Sequence, residues 1–405
     1  MNQKVILLLI PNLNFGGAQR VFYNLSIELS RKYKVIECVF NFDEGYAFKS
    51  GNEVISLDVQ GGNNFISKVY QLYVRYKKLK AIKKSTQADI CISHLEGADL
   101  VNVLSRNKEI TITWVHGSKQ HDDNITGFFG ILRHRVLIPF MYAKANIVVC
   151  VSAAIKQELV NEYRVEATKI QTIHNYFDIK EIKSKSQIPI PDIYLPIFTN
   201  VPVLIFSGRL VKQKNPVNFL NWFASFIQKH PAKLVILGDG EMREEVLRLC
   251  STLKLKTYHP WSNVLLNDSF DIYFLGFQEN PHAFIRKANL FVLPSLWEGF
   301  PMVLGEAMSC GIPIVSADCE TGPFEMLSGG DVDKRRNQLP FFAEYGILLP
   351  LLIKSNMDYW TETLIKLLSN QRRLAYYSSQ SLKRAEAFSK ERNINKIMDL
   401  IDSIE

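Results

Sequence analysis

The chain has few cysteines, no long hydrophobic run and no low-complexity segment, and each absence excludes a class of protein. Its 405 residues include six widely spaced cysteines without a CxxC pair or zinc spacing, which favours a reducing compartment over secretion. No stretch approaches 18 clean apolar residues, and the apolar run at 5–10 is too short for a signal-peptide core. We therefore expect a cytoplasmic protein, at most seated on a membrane surface, with most cysteines buried as apolar side chains.

Length and charge indicate how many domains the protein has and what kind of partner it binds. A chain of this length with 47% hydrophobic residues predicts two globular domains, each able to bury a core. The 48 basic and 40 acidic residues leave a net charge of +8, which points to an anionic partner. Nucleic acid is not expected as that partner, because the basic residues lack a recognised binding module.

Short apolar runs alternate with amphipathic stretches of helical period along the whole chain. Buried strands alternating with helices predict an α/β fold of two doubly wound, Rossmann-like domains facing a cleft, at 1–185 and 201–378, with a linker at 186–200. Ligands should bind just beyond the carboxyl ends of the strands. The predicted strands lie at 5–10, 35–40, 90–93, 110–114, 147–150 and 170–173, and then at 203–206, 234–237, 272–275, 290–293 and 314–315.

The segment after the predicted strand at 290–293 has two glutamates beside a helix start. A helix is expected to begin near Pro301 and to stop at Gly311, with Glu298 in the preceding loop and Glu306 inside the helix. Backbone N–H groups at such a start can hold an anion such as a diphosphate. These groups belong to Gly299, Phe300, Met302 and Val303. The alternative is two solvated surface glutamates around an ordinary helix start.

A second group of candidates follows the strand at 203–206. Arg209 and Lys214 precede a helix expected to have Asn215 as its N-cap and Pro216 at its first position. Two fixed cations there suit a diphosphate leaving group, so they could replace a divalent metal. The alternative is that both are ordinary surface cations.

Three other strand ends hold candidate residues. Gly16 and Gly17 follow the first strand, where glycines allow close approach of the backbone to a ligand, although such a pair is often only a tight turn. His116 ends the strand at 110–114, where a core histidine is the alternative. Asn175 and the loop at 276–281 also follow predicted strands.

These segments resemble the retaining glycosyltransferases of the GT-B fold, in particular the large family 4. Glu298 and Glu306 match its E(x7)E signature, and the stretch 208–215 matches its GRL-x-x-x-KN pattern without a gap. Family members usually have GGAER near the first strand, so Gln19 is a departure, and Met302 and Gly305 replace more usual side chains.

The resemblance implies a role for each candidate. Glu306 would hold the ribose hydroxyls of a sugar nucleotide and Glu298 would bind the donor sugar, while Gly16 and Gly17 would border the diphosphate and the acceptor. The implied catalytic residues are Arg209, Lys214, Glu298 and His116. The implied donor-binding residues, besides Glu306 and the N–H groups at 299–303, are Gly276, Phe277, Gln278 and Asn175. No metal or cofactor is implied, and a final helix at 379–404 would cross back to the first domain.

A basic amphipathic helix is predicted over residues 65–85. Apolar positions at 66, 69, 72, 73, 76, 79 and 82 form one stripe, and the helix has seven cations and no acid. We expect its polar face, with Arg75, Lys77 and Lys78, to contact anionic lipid or the diphosphate of a polyprenyl-linked acceptor. The alternative is a helix packed on the sheet with a solvated basic face.

The expected function follows from the resemblance. It is metal-independent, retaining transfer of a hexose or N-acetylhexosamine from a nucleotide sugar, with UDP as the expected nucleotide, to a lipid-linked glycan. The segment 322–327 is similar to that of members using UDP donors and lipid-linked acceptors, which implies bacterial surface polysaccharide or oligosaccharide assembly at the cytoplasmic face of the inner membrane. The alternatives are a non-catalytic sugar-nucleotide-binding protein and a dinucleotide-dependent oxidoreductase, although no GxGxxG opens a βαβ unit.

Overall fold

The chain forms two compact units in a computed structural model. The structure describes residues 3–14, 16–42, 49–120, 127–262, 264–330 and 339–404, and the backbone alone of Phe128. One unit comprises residues 1–175 with 393–405, and the other comprises residues 176–392.

The described part of the first unit is built on a seven-stranded sheet. Its strands are β1 (Val5–Ile10), β2 (Lys34–Val39), β3 (Glu53–Ser56), β4 (Ile90–His94), β5 (Ile110–Val115), β6 (Ile147–Cys150) and β7 (Ile170–Thr172). They lie in the order β3-β2-β1-β4-β5-β6-β7, and all neighbours are parallel. The helices are α1 (Gly17–Ser30), α2 (Phe65–Ser85), α3 (Glu96–Leu104), α4 (Gly127–Leu132), α5 (Ile138–Lys144) and α6 (Ala153–Asn161). A π-helical segment, Arg133–Leu137, joins α4 to α5.

The second unit has an eight-stranded sheet among its described residues. Its strands are β8 (Val203–Ser207), β9 (Lys233–Leu237), β10 (Thr257–Tyr258), β11 (Ile272–Gly276), β12 (Leu290–Leu293), β13 (Ile314–Ala317), β14 (Phe341–Phe342) and β15 (Ile347–Leu349). The order is β10-β11-β9-β8-β12-β13-β15-β14, and β14 runs antiparallel to β15. The helices are α7 (Ile179–Gln187), α8 (Pro216–Lys229), α9 (Arg243–Thr252), α10 (Pro281–Lys287), α11 (Met302–Cys310), α12 (Pro323–Ser328), α13 (Met357–Leu368), α14 (Gln371–Ala385) and α15 (Lys390–Asp402).

The central strands are apolar because helices cover both faces of each sheet. All residues of β8 and β12 are buried, and so are the last five residues of β1. The α/β prediction of two parallel-sheet, Rossmann-like domains is confirmed, and every predicted run forms a strand. The prediction missed β3, β10, β14 and β15, which lie at or next to a sheet edge and span only two to four residues, so they are too short to stand out as strands.

Two predicted segments differ in detail. Residues 186–200 lie in the second unit, where 3₁₀ helix Asp192–Phe198 follows α7. The prediction of one final helix at 379–404 is wrong, because the chain leaves α14 for a 3₁₀ turn at Glu386–Phe388 before α15 begins. The turn is held by Phe177, whose N–H donates to the Phe388 carbonyl and whose carbonyl accepts from the Lys390 N–H, both at 2.9 Å. Residues 393–402 of α15 then belong to the first unit.

Two features of the described residues concern membrane-spanning helices and cysteines. No helix in the described ranges has both the length and the apolar composition that crossing a bilayer requires. All six cysteines are buried and none forms a disulfide.

Candidate active site

The order of strands in the second unit brings Lys214 and Glu298 together. Strands β8 and β12 are neighbours at the point where the strand order reverses, which is where open α/β sheets bind ligands. The Lys214 ammonium contacts the Glu298 carboxylate, and their side chains are only 13% and 6% exposed. The two loops are tied together because the Leu296 N–H donates to the Gln213 carbonyl and the Gln213 amide donates to the Trp297 carbonyl, both at 2.8 Å.

Glycines lie at the carboxyl ends of three neighbouring strands, β8, β9 and β11. The Gly208 N–H donates to the Leu237 carbonyl at 2.9 Å, and the Gly238 N–H donates to the Gly276 carbonyl at 2.7 Å. Gly238 has a φ of +124°, and a Cβ there would lie 2.2 Å from the Gly208 carbonyl oxygen. A larger residue would therefore force the β8 and β9 loops apart, and glycine keeps bare backbone at the strand ends.

Helix α11 presents its amino terminus after the Glu298 loop, as the sequence predicted. It begins at Met302 after Pro301 and ends at Gly311, which adopts the left-handed conformation. In the described chain, the N–H groups of Met302 and Val303 have no backbone acceptor, so they are able to bind an anion. Glu306 is buried in the second turn of the helix.

The residues at 321–322 hold the loop that precedes α11. The Thr321 hydroxyl donates to the backbone carbonyl of Glu298. A Cβ on Gly322 would lie 2.6 Å from the Pro301 ring and 2.8 Å from the Gly299 carbonyl oxygen. The Thr321 hydroxyl thus holds the Glu298 backbone while Lys214 contacts the Glu298 side chain, and the sequence prediction did not include Thr321.

Arg209 and Asn215 have different environments although they share one loop. Arg209 is exposed, and no described residue accepts a hydrogen bond from its guanidinium. Asn215 is the N-cap of α8 and Pro216 is its first residue, as predicted, but the Asn215 side chain forms no capping hydrogen bond. Its buried amide instead donates to the carbonyls of Leu352 and Pro294, at 2.8 and 3.2 Å, which anchors the loop to the segments that follow β15 and β12.

The loop after β11 leaves one aromatic ring in solvent. Gly276 has a φ of +65°, and the Gln278 side-chain amide donates to the Leu275 carbonyl at 2.6 Å. Phe277 is 68% exposed. The loop follows a strand, as predicted for a base-recognition segment.

In the first unit, the Gln19 side chain lies over Gly16. Gly16 is extended and precedes α1, which begins at Gly17. A Cβ on Gly16 would lie 2.2 Å from the Gln19 side-chain oxygen, and the Gln19 amide donates to Asn12 at 3.1 Å. The departure from the usual glutamate therefore gives a neutral side chain that folds back over the β1–α1 loop.

His116 follows β5 and contacts a second histidine that the sequence prediction missed. His94 Nδ1 lies 2.8 Å from His116 Nε2, and the two rings stack, with centroids 5.0 Å apart. His94 is fully buried against Trp114 and Phe22. Burial lowers the pKa of His116 to about 3 and also lowers that of His94, so both rings are neutral at physiological pH. His94 ends β4, and the strand-end rule applied to every strand would have found it.

A buried acidic residue, Asp99, lies between these two histidines in the sequence. Burial raises the pKa of the Asp99 carboxyl to about 8, and the Ser93 hydroxyl donates to it at 2.7 Å. Nearby along α3, Glu96 accepts two hydrogen bonds from Arg133, both at 2.6 Å. Asn175, another predicted site residue, is buried at the end of this unit.

The predicted apolar stripe of α2 does not pack on the sheet along its whole length. Leu79 is fully buried, but Ile66, Val69 and Tyr73 are exposed. Lys77 is also exposed. The amino-terminal half of the helix therefore has its apolar side chains in solvent.

Several cations of α2 are engaged by the protein. Arg75 and Lys78 donate to backbone carbonyls within 57–60, at 2.8 and 2.5 Å. Lys83 is buried and forms an ion pair with Glu109 at 2.7 Å. The structure thus gives these three cations a role in holding α2 to the sheet, which the sequence pattern did not indicate.

A metal centre has no candidate ligand set among the described residues. No group of three or more His, Cys, Asp and Glu side chains there is arranged to hold an ion. The charged groups that lie together after β8 and β12 are Lys214 and Glu298.

Comparison with known proteins gives the family. Residues 15–181 match the family model Glycosyltransferase Family 4, and residues 194–338 match Glycosyl transferases group 1. The N-acetylgalactosamine-N,N'-diacetylbacillosaminyl-diphospho-undecaprenol 4-alpha-N-acetylgalactosaminyltransferase of Campylobacter jejuni is 27% identical over 390 residues, 94% of each chain. An uncharacterised glycosyltransferase of Methanocaldococcus jannaschii is 28% identical over 354 residues, covering 81% of this chain and 82% of that protein.

A solved structure agrees with these matches in fold. Anabaena HepE in complex with UDP-glucose has a TM-score of 0.75 at 19% identity, covering 98% of this chain and 99% of that chain. The chain therefore belongs to the glycosyltransferases of family 4 and group 1, and its two α/β units have the GT-B fold.

Proposed function

We propose that the chain transfers a hexose or N-acetylhexosamine from a UDP-sugar to a lipid-linked glycan in bacterial surface polysaccharide or oligosaccharide assembly. The observation that carries the proposal is the Lys214–Glu298 pair at the β8–β12 switch point, beside the free N–H groups of α11. The Campylobacter relative acts on a diphospho-undecaprenol acceptor, and HepE binds UDP-glucose, which supports both substrate classes.

In this proposal the second unit binds the donor. The diphosphate contacts Lys214, Arg209 and the N–H groups of Met302 and Val303, since these groups are cationic or carry unpaired donors. Glu306 binds the ribose hydroxyls, because a carboxylate has acceptor oxygens for a vicinal diol. The loop with Gly276, Phe277 and Gln278 contacts the base, and the N–H groups of Gly299 and Phe300 complete the donor site.

Transfer of the sugar requires stabilisation of the negative charge that develops on the leaving diphosphate. The bond between the sugar C1 and the diphosphate oxygen breaks, the acceptor hydroxyl oxygen bonds to C1, and its proton passes to the leaving diphosphate. Lys214 and Arg209 stabilise the developing charge, each charge-assisted hydrogen bond contributing roughly 1.5–3 kcal/mol. These fixed cations supply what a divalent ion would, so we propose metal-independent transfer.

Retention of configuration is proposed through front-face attack. Glu298 is bound by Lys214, which leaves its carboxylate suited to hold a sugar hydroxyl rather than to attack C1. The alpha linkage named for the Campylobacter relative is consistent with retention from an alpha-linked donor. A neutral His116, held by His94, donates or accepts a hydrogen bond at the donor sugar and does not act as a base.

The acceptor side of the proposal concerns the first unit. Gly16 and Gly17 border the acceptor at the β1–α1 loop, and the protein works on the cytoplasmic face of the inner membrane, where a polyprenyl-diphosphate-linked glycan is accessible. Lys77, which is exposed on α2, contacts anionic groups there. Arg75 and Lys78 have carbonyl partners, so they contribute less to this contact.

A transfer assay tests the function. Purified full-length protein is incubated with a panel of UDP-sugars and a polyprenyl-diphosphate-linked N-acetylhexosamine, with and without EDTA, and product is followed by mass spectrometry and its anomer by NMR. We expect an alpha-linked product in both conditions, weaker nucleotide binding by Glu306→Ala, and slower transfer by Lys214→Ala. Near-normal turnover in both variants would refute the site assignment, and a beta-linked product would refute retention.

A further inference from the structure

One proton lies between the rings of His94 and His116. Nδ1 of His94 and Nε2 of His116 are 2.8 Å apart, which is hydrogen-bonding distance. Burial lowers the pKa of both rings, and the nearby Lys119 ammonium lowers that of His116 further, so neither ring is charged at neutral pH. Two neutral imidazoles can form this hydrogen bond in two ways, because either ring can carry the proton that lies between them.

The other ring nitrogen of His94 lies among aromatic side chains. His94 is fully buried, and the rings of Trp114 and Phe22 each lie 5.4 Å from its ring between centroids. Trp114 pairs with His94 in the register of β4 and β5, so the sheet itself places this ring against His94. Within the described ranges, no residue forms a hydrogen bond with the buried Nε2 of His94.

These surroundings favour one of the two arrangements. If His116 donated from Nε2, the proton of His94 would lie on its own Nε2, as a buried N–H group without an acceptor among the described residues. If His94 donates from Nδ1, its Nε2 has only an unused lone pair. In protein interiors an N–H group without an acceptor is rarer than an acceptor with an unused lone pair. His94 is therefore the donor of this hydrogen bond.

The remaining nitrogen of His116 is available to a ligand. The His116 side chain is only half-buried and follows β5, at the edge of the sheet where α/β domains bind ligands. Its Nε2 is used by His94, so Nδ1 is the nitrogen that remains. With a hydrogen-bonded lone pair on Nε2, a neutral His116 carries its proton on Nδ1.

We propose that His94 is a positioning residue that fixes His116 as the tautomer with its proton on Nδ1, so that His116 donates a hydrogen bond to the donor sugar. An N–H group binds a lone pair of a sugar oxygen, whereas the opposite tautomer would accept from a hydroxyl proton. The inference rests on the proposed function, in which His116 lies at the donor sugar, and it assigns the direction of that contact. His94 acts through His116 and does not itself contact the sugar, because its ring is fully buried.

Heteronuclear NMR of the full chain with isotope-labelled histidine reads the tautomers directly. Two-bond proton–nitrogen correlations separate protonated from unprotonated ring nitrogens, and His94→Asn and His116→Asn identify the signals of each ring by their loss. We expect Nδ1 to be protonated and Nε2 to be unprotonated in both rings at neutral pH. Protonated Nε2 in both rings, or a charged ring at either position, would overturn the inference.

Transfer rates test whether this tautomer matters for the reaction. His94→Leu removes the hydrogen-bond donor and should lower kcat/KM about 3- to 10-fold, the effect of one neutral hydrogen bond. The affinity for UDP, measured by calorimetry, should not change, because UDP has no sugar to contact His116. His94→Asn retains an N–H group at the δ position and should recover most of the lost rate. The donor is the UDP-sugar that gives product in the transfer assay.

The His116→Ala background separates positioning from packing. There, His94→Leu should cause no further loss of transfer, because His94 acts only through His116. The matched control Phe22→Leu removes another ring beside His94 but keeps the hydrogen bond, so it should leave the transfer rate and the NMR pattern unchanged. Normal transfer by His94→Leu, or an equal loss with and without His116, would overturn the inference. Thermal unfolding checks that each variant is folded.

Failure of the inference can be told apart from failure of the proposed function. Absence of transfer by the unmodified protein would reject the proposed function, while NMR would still show which nitrogens of the pair carry protons. Normal transfer together with a protonated Nε2 on His116 would reject the inference alone.

Discussion

Replacing Glu298 by glutamine should make UDP bind more tightly while sugar transfer becomes slower. In the free protein the Lys214 ammonium is bound by the Glu298 carboxylate, and both side chains are largely buried. A diphosphate that contacts Lys214 then lies close to a second anion. Removing the charge of Glu298 relieves that repulsion, but it also weakens a contact that we propose for the donor sugar.

The geometry of the pair sets the size of the effect. Two oxygens bound to one ammonium at about 2.8 Å and a tetrahedral angle are about 5 Å apart. Two unit charges at about 5 Å repel by about 3 kcal/mol at an effective dielectric constant of about 20. Solvent near the loops screens part of this energy, so we expect the dissociation constant of UDP to fall at least about tenfold, equivalent to about 1.4 kcal/mol.

Isothermal titration calorimetry with UDP measures this change. Lys214→Met should have the opposite effect and weaken UDP binding roughly 10- to 100-fold, because a charge-assisted hydrogen bond is lost. The double variant completes a cycle that reports the coupling between the two residues. Glu362→Gln, which removes one exposed carboxylate on α13, is the control for net charge and should leave UDP affinity unchanged.

Weaker or unchanged UDP binding by Glu298→Gln would show that the Glu298 carboxylate does not repel the bound diphosphate. If Lys214→Met also bound UDP normally, the diphosphate would have to bind elsewhere in the protein. Faster or normal transfer by Glu298→Gln would instead remove Glu298 from the proposed contacts with the donor sugar.

Three further predictions concern stability, each measured by urea unfolding. Gly305→Leu should lower the free energy of unfolding by about 1–3 kcal/mol, because a Cβ there would lie 2.1 Å from the Phe177 ring. Adding Phe177→Ala to this variant should recover part of the loss. Equal stability of the unmodified protein, the single variant and the double variant would contradict this packing. Between pH 5 and 8 the stability of Asp99→Asn relative to the unmodified protein should rise by about 1.4 kcal/mol per pH unit, because folded Asp99 keeps a proton that the unfolded chain releases. Parallel plots of unfolding free energy against pH for the two proteins would disprove the raised pKa of Asp99. Lys83→Met should lower the free energy of unfolding by about 3–5 kcal/mol, because it leaves the buried Glu109 carboxylate without its ion-pair partner. Adding Glu109→Leu should restore much of this loss. A double variant less stable than Lys83→Met would count against the buried pair.

The central strands could be predicted from sequence because burial on both faces leaves a continuous apolar run. The run at 290–293 is a clear example. The end of α11 at Gly311 could also be predicted, because glycine readily adopts the left-handed conformation found there. Edge strands such as Glu53–Ser56 are half-buried and short, so they leave no such signal. The break between α14 and α15 was also hidden, because it depends on hydrogen bonds to Phe177, more than 200 residues earlier.

The candidate site was predicted in its parts but not in its contacts. The positions of Lys214 and Glu298 followed from strand ends and motif spacing, but their ion pair depends on β8 and β12 being neighbours in the sheet. His94 ends a strand like His116, and the stacked pair became visible only when β4 and β5 were placed side by side. The sequence pattern likewise included Lys83 among the seven cations of the helix at 65–85, whereas its side chain is buried against Glu109.

One thermal-shift experiment tests whether the second unit binds a nucleotide-sugar donor. The full chain and Glu306→Ala are each heated with UDP-, GDP- and ADP-sugars, since a ligand that binds the folded state raises the melting temperature by mass action. We expect UDP-sugars to raise the melting temperature of the unmodified protein and to have little effect on that of Glu306→Ala. No shift with any nucleotide sugar, or an equal shift in the variant, would contradict this expectation.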